Sequence, residues 1–192
     1  MSKIGVIPRA FRKQDYYKFL QTDGISCAKY HHYKDHCNHQ VVVTTYLFVF
    51  VLSGKKVTHT VSGDIEIEAG DAFFARKDSY MYSEFNTTGD PFQSLIFFIE
   101  DNFFVDFLKS HRQVIERKTS STLANDSIFK IKISPLFKSS LDSILPYFLH
   151  ETSCSEELLK LKFNEIFLHI LESDEHGRLL AFLQSIYSDR KK

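Results

Sequence analysis

The 192-residue chain has no tryptophan, three cysteines, four prolines and seven glycines, and its 24 lysines and arginines are matched by 24 aspartates and glutamates. Each shortage excludes something. Cys27, Cys37 and Cys154 are odd in number and share no metal-type or redox-type spacing, so free thiols in a reducing compartment are expected, with the cytoplasm as the default. A formal net charge of zero provides no field to neutralise a run of phosphates, so these residues are not expected to hold DNA by themselves. No run approaches the ~18 apolar residues of a membrane span, and Met1 is followed by Ser2, Lys3, Ile4 and Gly5 rather than by a charged start and an apolar core. Neither insertion nor export is expected. With 43% hydrophobic and 25% charged residues, the composition is that of an ordinary folded chain rather than a disordered one.

What is abundant is the aromatic ring: 19 phenylalanines, at a length that fits one structural unit in two parts. Burial of such rings at roughly 25 cal/mol per Å² is the main stabilising contribution, and the same rings can line a ligand pocket.

Residues 1–13 are basic and aperiodic, which suggests an arm (1–22 with its flank), and Asp15–Gln21 reads as a possible short helix. From Gly24 the pattern is extended. Ile25–Tyr30 leads to a polar loop with four histidines, then to Val41–Leu52, where seven consecutive residues from Tyr46 are aromatic or aliphatic. That run predicts a central strand covered on both faces. Short pieces separated by turn residues follow: Lys56–Val61, Ile65–Glu68, Ala72–Lys77, Met81–Phe85 and Phe92–Ile99, with turns at Ser62-Gly63-Asp64 and Ala69-Gly70-Asp71 and a loop from Asn86 to Pro91. Such spacing predicts a barrel or sandwich over 23–100.

Residues 102–114 carry a helical stripe at 103, 104, 107 and 108; a Ser/Thr-rich connector over 115–127 then leads to an extended Ile128–Ile133 that returns to the barrel. Residues 134–192 read as helical. Ser134-Pro135 is a helix start, with Phe137, Leu141, Ile144, Leu145 and Phe148 on one face and a kink expected at Pro146. Ser153 with Glu156 matches a capping box for a helix to about Ser173. In that helix Leu159, Phe163, Ile166 and Ile170 form one stripe, while Leu161, Leu168 and Leu171 lie nearly opposite. Arg178–Ser188, striped by Leu179, Phe182, Leu183 and Ile186, can cover one side. The other is left to the barrel or to a second copy, and Leu161, Leu168 and Leu171 are the candidates for a dimer interface.

The stretch from Gly54 through Lys77, with Ser53-Gly54 and Ala69-Gly70-Asp71 as its turns, resembles the strands of a cupin barrel and, more narrowly, the N-terminal regulatory domain of AraC-type transcription regulators. Leu95–Ile99 followed by Asn102-Phe103-Phe104 is similar to that domain's last barrel strand and first helix. Leu158–Leu171 resembles its interface helix in the subgroup that includes type III secretion activators. The likeness covers about residues 40–188. It implies an α+β fold that is mainly β, a cupin-like jelly-roll barrel followed by a helical dimerisation region. It also implies a small-molecule or protein effector and a helix-turn-helix domain that controls DNA binding. The sequence stops at Lys192 without one, so the expectation is a regulatory fragment or a stand-alone version that pairs without DNA.

Metal-dependent cupins gather His and Glu ligands. Here His59 stands alone, Glu66 and Glu68 read as the solvent face of a strand, and Tyr80 or Tyr82 takes the place of the later His, so no cofactor is expected. His32, His36 and His39, with Cys37, are the one cluster that could clasp zinc or nickel; the plainer reading is a polar loop. No nucleophile elbow or phosphate-cradling glycine loop is present, so catalysis is not expected. Arg76 and Tyr80, with Lys77 beside them, suit an anionic effector or simply flank a turn; with Tyr82 and Phe73 they are the effector-site candidates. The competing readings are a small metal-dependent cupin enzyme, an isomerase or dioxygenase, and a protein-binding module with a solid barrel.

Overall fold

Successive side chains along one strand enter two different cores, and this alternation organises the computed structural model of the chain. Residues 4–14, 17–61, 63–87, 89–113, 126–149, 154–174 and 177–189 are described. One sheet runs β1 (Gly5–Ile7), β4 (His36–Val43), β9 (Asp78–Phe85), β6 (Lys55–Thr60), β7 (Gly63–Glu68). The other runs β11 (Ile128–Ile131), β8 (Ala72–Ala75), β5 (Tyr46–Ser53), β10 (Phe92–Ile99), β3 (Ile25–His32), β2 (Phe19–Thr22). The β1–β4 pair is parallel and the other pairs are antiparallel.

In β5, Leu47, Val49 and Val51 join the core between the sheets, whereas Tyr46, Phe48 and Phe50 join a second core against the helices. Strand β10 divides likewise, Ile96 and Phe98 to the first and Leu95, Phe97 and Ile99 to the second. The period of two in the strand thus serves two layers at once, and the seven-residue apolar run is the central, doubly covered strand that its composition predicts. The chain crosses between the sheets at Gly54, whose φ is +84° and where a Cβ would lie 2.5 Å from the Phe85 carbonyl oxygen. Only glycine fits there.

The helices are α1 (Arg9–Arg12), α2 (Asp101–Ser110), α3 (Pro135–Asp142), α4 (Pro146–Leu149), α5 (Glu156–Glu172) and α6 (Arg178–Asp189). Ser134 caps α3 by accepting from the Phe137 amide at 3.1 Å, as its position before Pro135 predicts. The result is a mainly β, cupin-like barrel followed by a helical layer.

Several local expectations are corrected. Phe19–Gln21, expected in a short helix over Asp15–Gln21, pairs together with Thr22 against Ile25–Ala28 as an edge strand through a turn at Gly24 (φ +74°), because that strand's backbone offers it a complete ladder; Asp15 and Tyr16 lie outside the described residues. The histidines stand on β3 and β4 rather than in a loop. Val41–Leu52 breaks at Thr44, whose amide and hydroxyl both donate to the Ile7 carbonyl (3.0 and 2.9 Å), so two strands replace one. Asp78–Tyr80 extends the strand expected from Met81. Pro146 begins α4 instead of kinking α3, since it lacks only an amide that a first turn leaves unpaired anyway. Ser155, not Ser153, caps α5, accepting from the Leu158 amide at 3.2 Å; Ser153 and most of the 115–127 connector lie outside the described residues.

Candidate functional site

Strand parity also builds the site. Tyr80, Tyr82 and Glu84 on β9, Lys56 and Thr58 on β6, Tyr30 on β3 and Phe73 on β8 all line a cavity of about 40 Å³ inside the barrel. Above it lies a vestibule of about 230 Å³, which shares Ile7, Phe11, Tyr30, Val41 and Tyr82 with the cavity and adds Tyr17, His32, His36 and His39. Phe11 sits at the junction, its ring 5.2 Å from that of Tyr30 and 5.5 Å from that of Phe98.

The cavity's polar centre is an ion pair. Lys56 Nζ lies 2.6 Å from Glu84 Oε1, Tyr30 donates its hydroxyl to Glu84 Oε2 at 3.0 Å, and the ammonium sits 3.5 Å from the centre of the Tyr82 ring. Glu84 is 2% exposed. Burial lowers the Lys56 pKa from its ordinary value, and Glu84 opposes that shift. Burial first, and then Glu84, pushes the Tyr30 and Tyr82 hydroxyls well up, so both stay protonated donors throughout the physiological range.

The effector candidates divide. Phe73, Tyr80 and Tyr82 line the cavity, but Arg76 is on the helical side, its guanidinium 4.0 Å from the Phe182 ring centre and 5.3 Å from that of Phe129. Lys77 is paired with Asp101 at 2.7 Å. The Tyr80 hydroxyl donates to the carbonyls of Arg76 and Ser127, at 2.9 and 3.0 Å. The anion-holding group suggested by Arg76, Lys77 and Tyr80 is therefore not assembled; the cation that reaches the cavity is Lys56. Sequence reading missed Lys56, Glu84 and Tyr30. The signal for Glu84 was present, since Tyr80, Tyr82 and Glu84 are spaced by two on one strand and share its face.

At the mouth, the His36 ring lies 3.9 Å from that of His32 and 4.0 Å from that of His39, centre to centre. Cys37 is exposed on the same strand, and no group of three or more His, Cys, Asp or Glu among the described residues is placed to hold a metal. His59 bridges Asp64 and Ser83, at 2.9 Å each, and Glu66 pairs with Lys55 on the solvent face. Burial, then His32 and His39, lower the His36 pKa, with Glu84 opposing and Lys56 assisting. An unfolded chain therefore takes up this proton first, so stability falls as pH drops below about 6.5 towards the folded-state value. The melting temperature is expected to decrease between about pH 7.5 and pH 5.5, and His36→Gln should flatten the decrease. A thermal-shift series of both proteins checks this.

The helical region covers most of α5. Leu159, Phe163, Ile166 and Ile170 are buried as one stripe. Leu171, expected at a dimer interface, is 2% exposed in this chain's own core, and Leu168 is half-buried against that core; Leu161 is 66% exposed. The opposite side of α5 is thus largely covered from within, Phe167 lying against the rings of α2 and Leu171 in the same core as Leu179, Leu180 and Leu183.

Against known proteins, residues 46–182 match the family described as the ExsA N-terminal regulatory domain. The chain belongs to that family. No curated protein sequence matches. Among solved structures, ToxT from Vibrio cholerae superposes with a TM-score of 0.53 at 13% identity, covering 81% of this chain and 58% of ToxT; an apo ToxT variant from strain SCE256 gives 0.58 at 14%, covering 79% and 57%. Wild-type ToxT bound to an unsaturated fatty acid gives 0.52 at 13%, covering 89% and 70%. At these identities the superpositions show a shared fold and no more. The chain spans less than two thirds of the first two ToxT chains, and the match to the ExsA-type domain identifies it as a regulatory domain of the AraC-type regulator family.

Proposed function

We propose that this ExsA-type domain is the sensing and pairing part of a cytoplasmic AraC-type regulator, that its barrel takes a small effector, and that it controls DNA binding by a helix-turn-helix domain outside these residues. The family match over residues 46–182 carries the reading. A regulator needs a ligand site coupled to an interface, and the two-core sheet supplies the coupling: β5, β8 and β10 face the cavity with one set of side chains and the helices with the other. An effector shifts the arrangement only by its differential affinity for the two states. The fatty acid held by ToxT supports a small molecule as the effector class. The cavity's ion pair and the Tyr30 hydroxyl are engaged with one another, which suits binding rather than bond making.

Pairing is assigned to the outer strip of α5, Leu158 and Leu161 with Leu168 at its margin, and not to Leu171. Leu161→Glu places a charge in that strip while touching little of the monomer core. It should weaken self-association by about tenfold or more in sedimentation equilibrium while leaving the melting temperature nearly unchanged. Unaltered association by a folded variant would remove α5 from the interface.

A further inference from the structure

The fold neighbour that holds a fatty acid raises a question of charge, because this chain's cavity already contains a carboxylate. Among the described residues Lys56 is the only cationic side chain lining the cavity, and Glu84 lies 2.6 Å from it, 2% exposed. An entering anion must either displace Glu84 from Lys56 or lie beside it. Displacement strands a buried carboxylate, and coexistence places two negative charges against one positive charge beside side chains that are 11% (Lys56) and 2% (Glu84) exposed. We propose that the barrel is a site for an uncharged, mainly apolar ligand carrying a hydrogen-bond donor such as a hydroxyl, and that Glu84 excludes carboxylic acids by holding the position their head group would take. The inference rests on reading the barrel as the effector site and specifies what it accepts.

The chemistry of the head group follows from the acceptor count. A carboxylate offers about four lone-pair sites, and Lys56 and Tyr30 donate to one oxygen each. Capacity remains for a ligand hydroxyl, which can donate where an ionised acid can only accept. The pair has no net charge, so a cation gains no net attraction either. Apolar side chains supply the rest: Val41, Val43, Val49, Phe73 and Ile96 surround the cavity, and the vestibule of about 230 Å³ continues it outward past Ile7 and Phe11. A ligand seated with its hydroxyl at Glu84 would run its chain through that junction.

A matched pair of probes tests the proposal: decan-1-ol and decanoate, measured by calorimetry near neutral pH on the full chain, on Glu84→Gln and on Lys56→Met/Glu84→Leu. Wild type should bind the alcohol at least about tenfold more tightly than the acid. Glu84→Gln keeps the hydrogen-bonding shape but frees the Lys56 charge, and should raise decanoate affinity about a hundredfold. The double variant has neither charge and should bind decanoate no better than wild type does. Equal binding of acid and alcohol by wild type overturns the exclusion while leaving the barrel an effector site, as does an unchanged acid affinity in a folded Glu84→Gln. Binding of neither probe by any of the three proteins overturns the effector site itself. Should Glu84→Gln fail to fold, the wild-type preference alone decides.

Discussion

Phe167→Ala is expected to destabilise the chain by about 3–5 kcal/mol, the range for removing a fully buried ring. The side chain is buried on α5 with its ring 4.9 Å from Phe103, 5.3 Å from Phe104 and 5.3 Å from Phe107, all on α2. Phe104 in turn lies 5.1 Å from Tyr46 and 6.0 Å from Phe74, on the outer face of the six-stranded sheet. The truncation therefore opens a cavity in a continuous chain of rings joining the last long helices to the barrel. Because the sheet and the helices share that core, far-ultraviolet dichroism and tyrosine fluorescence should lose signal in one coincident transition, in wild type and variant alike. Loss of helix at lower denaturant than strand would show that the two layers fold separately.

Glu84→Ala should cost a similar amount, about 3–5 kcal/mol, for a different reason: it leaves a buried charge unpaired. In the variant the Lys56 ammonium keeps, among the described residues, the Tyr82 ring at 3.5 Å and the Phe92 ring at 5.8 Å, and Tyr30 loses its acceptor. Replacing both partners, as in Lys56→Met/Glu84→Leu, removes the desolvated charges together and should recover most of the loss. Urea denaturation of the three proteins measures this directly. A single variant as stable as the parent would mean that the pair is not buried in solution.

Much of this architecture is legible in the sequence where a residue's pattern and its burial coincide. The run from Tyr46 is apolar at both parities because both faces of β5 are covered, and Ser134-Pro135 announces α3 because capping is local chemistry. What is not legible depends on partners distant in the chain. Phe19–Thr22 has no strong strand signal of its own and is extended because β3 offers it an edge. Leu171 looks like an interface residue until the helical core closes over it within this chain. The site suffered most: Arg76 and Tyr82 are only six residues apart, yet one strand's parity and one turn send them to opposite sides of the sheet. Lys56 and Glu84, 28 residues apart, meet because β6 and β9 are neighbours with Lys56 opposite Glu84, a register that neither segment announces alone.

Hydrogen–deuterium exchange of the whole chain with and without saturating decan-1-ol tests most directly whether occupancy of the barrel is felt at the interface. Amides of Lys55–Thr60 and Asp78–Phe85 should gain protection on binding, and those of Glu156–Glu172 should change with them, since the cavity and α5 lie on opposite faces of the six-stranded sheet, whose β5, β8 and β10 join both cores. Protection confined to the barrel strands, with α5 exchanging at the same rates in both states, would contradict a sensor that relays its ligand to a pairing helix.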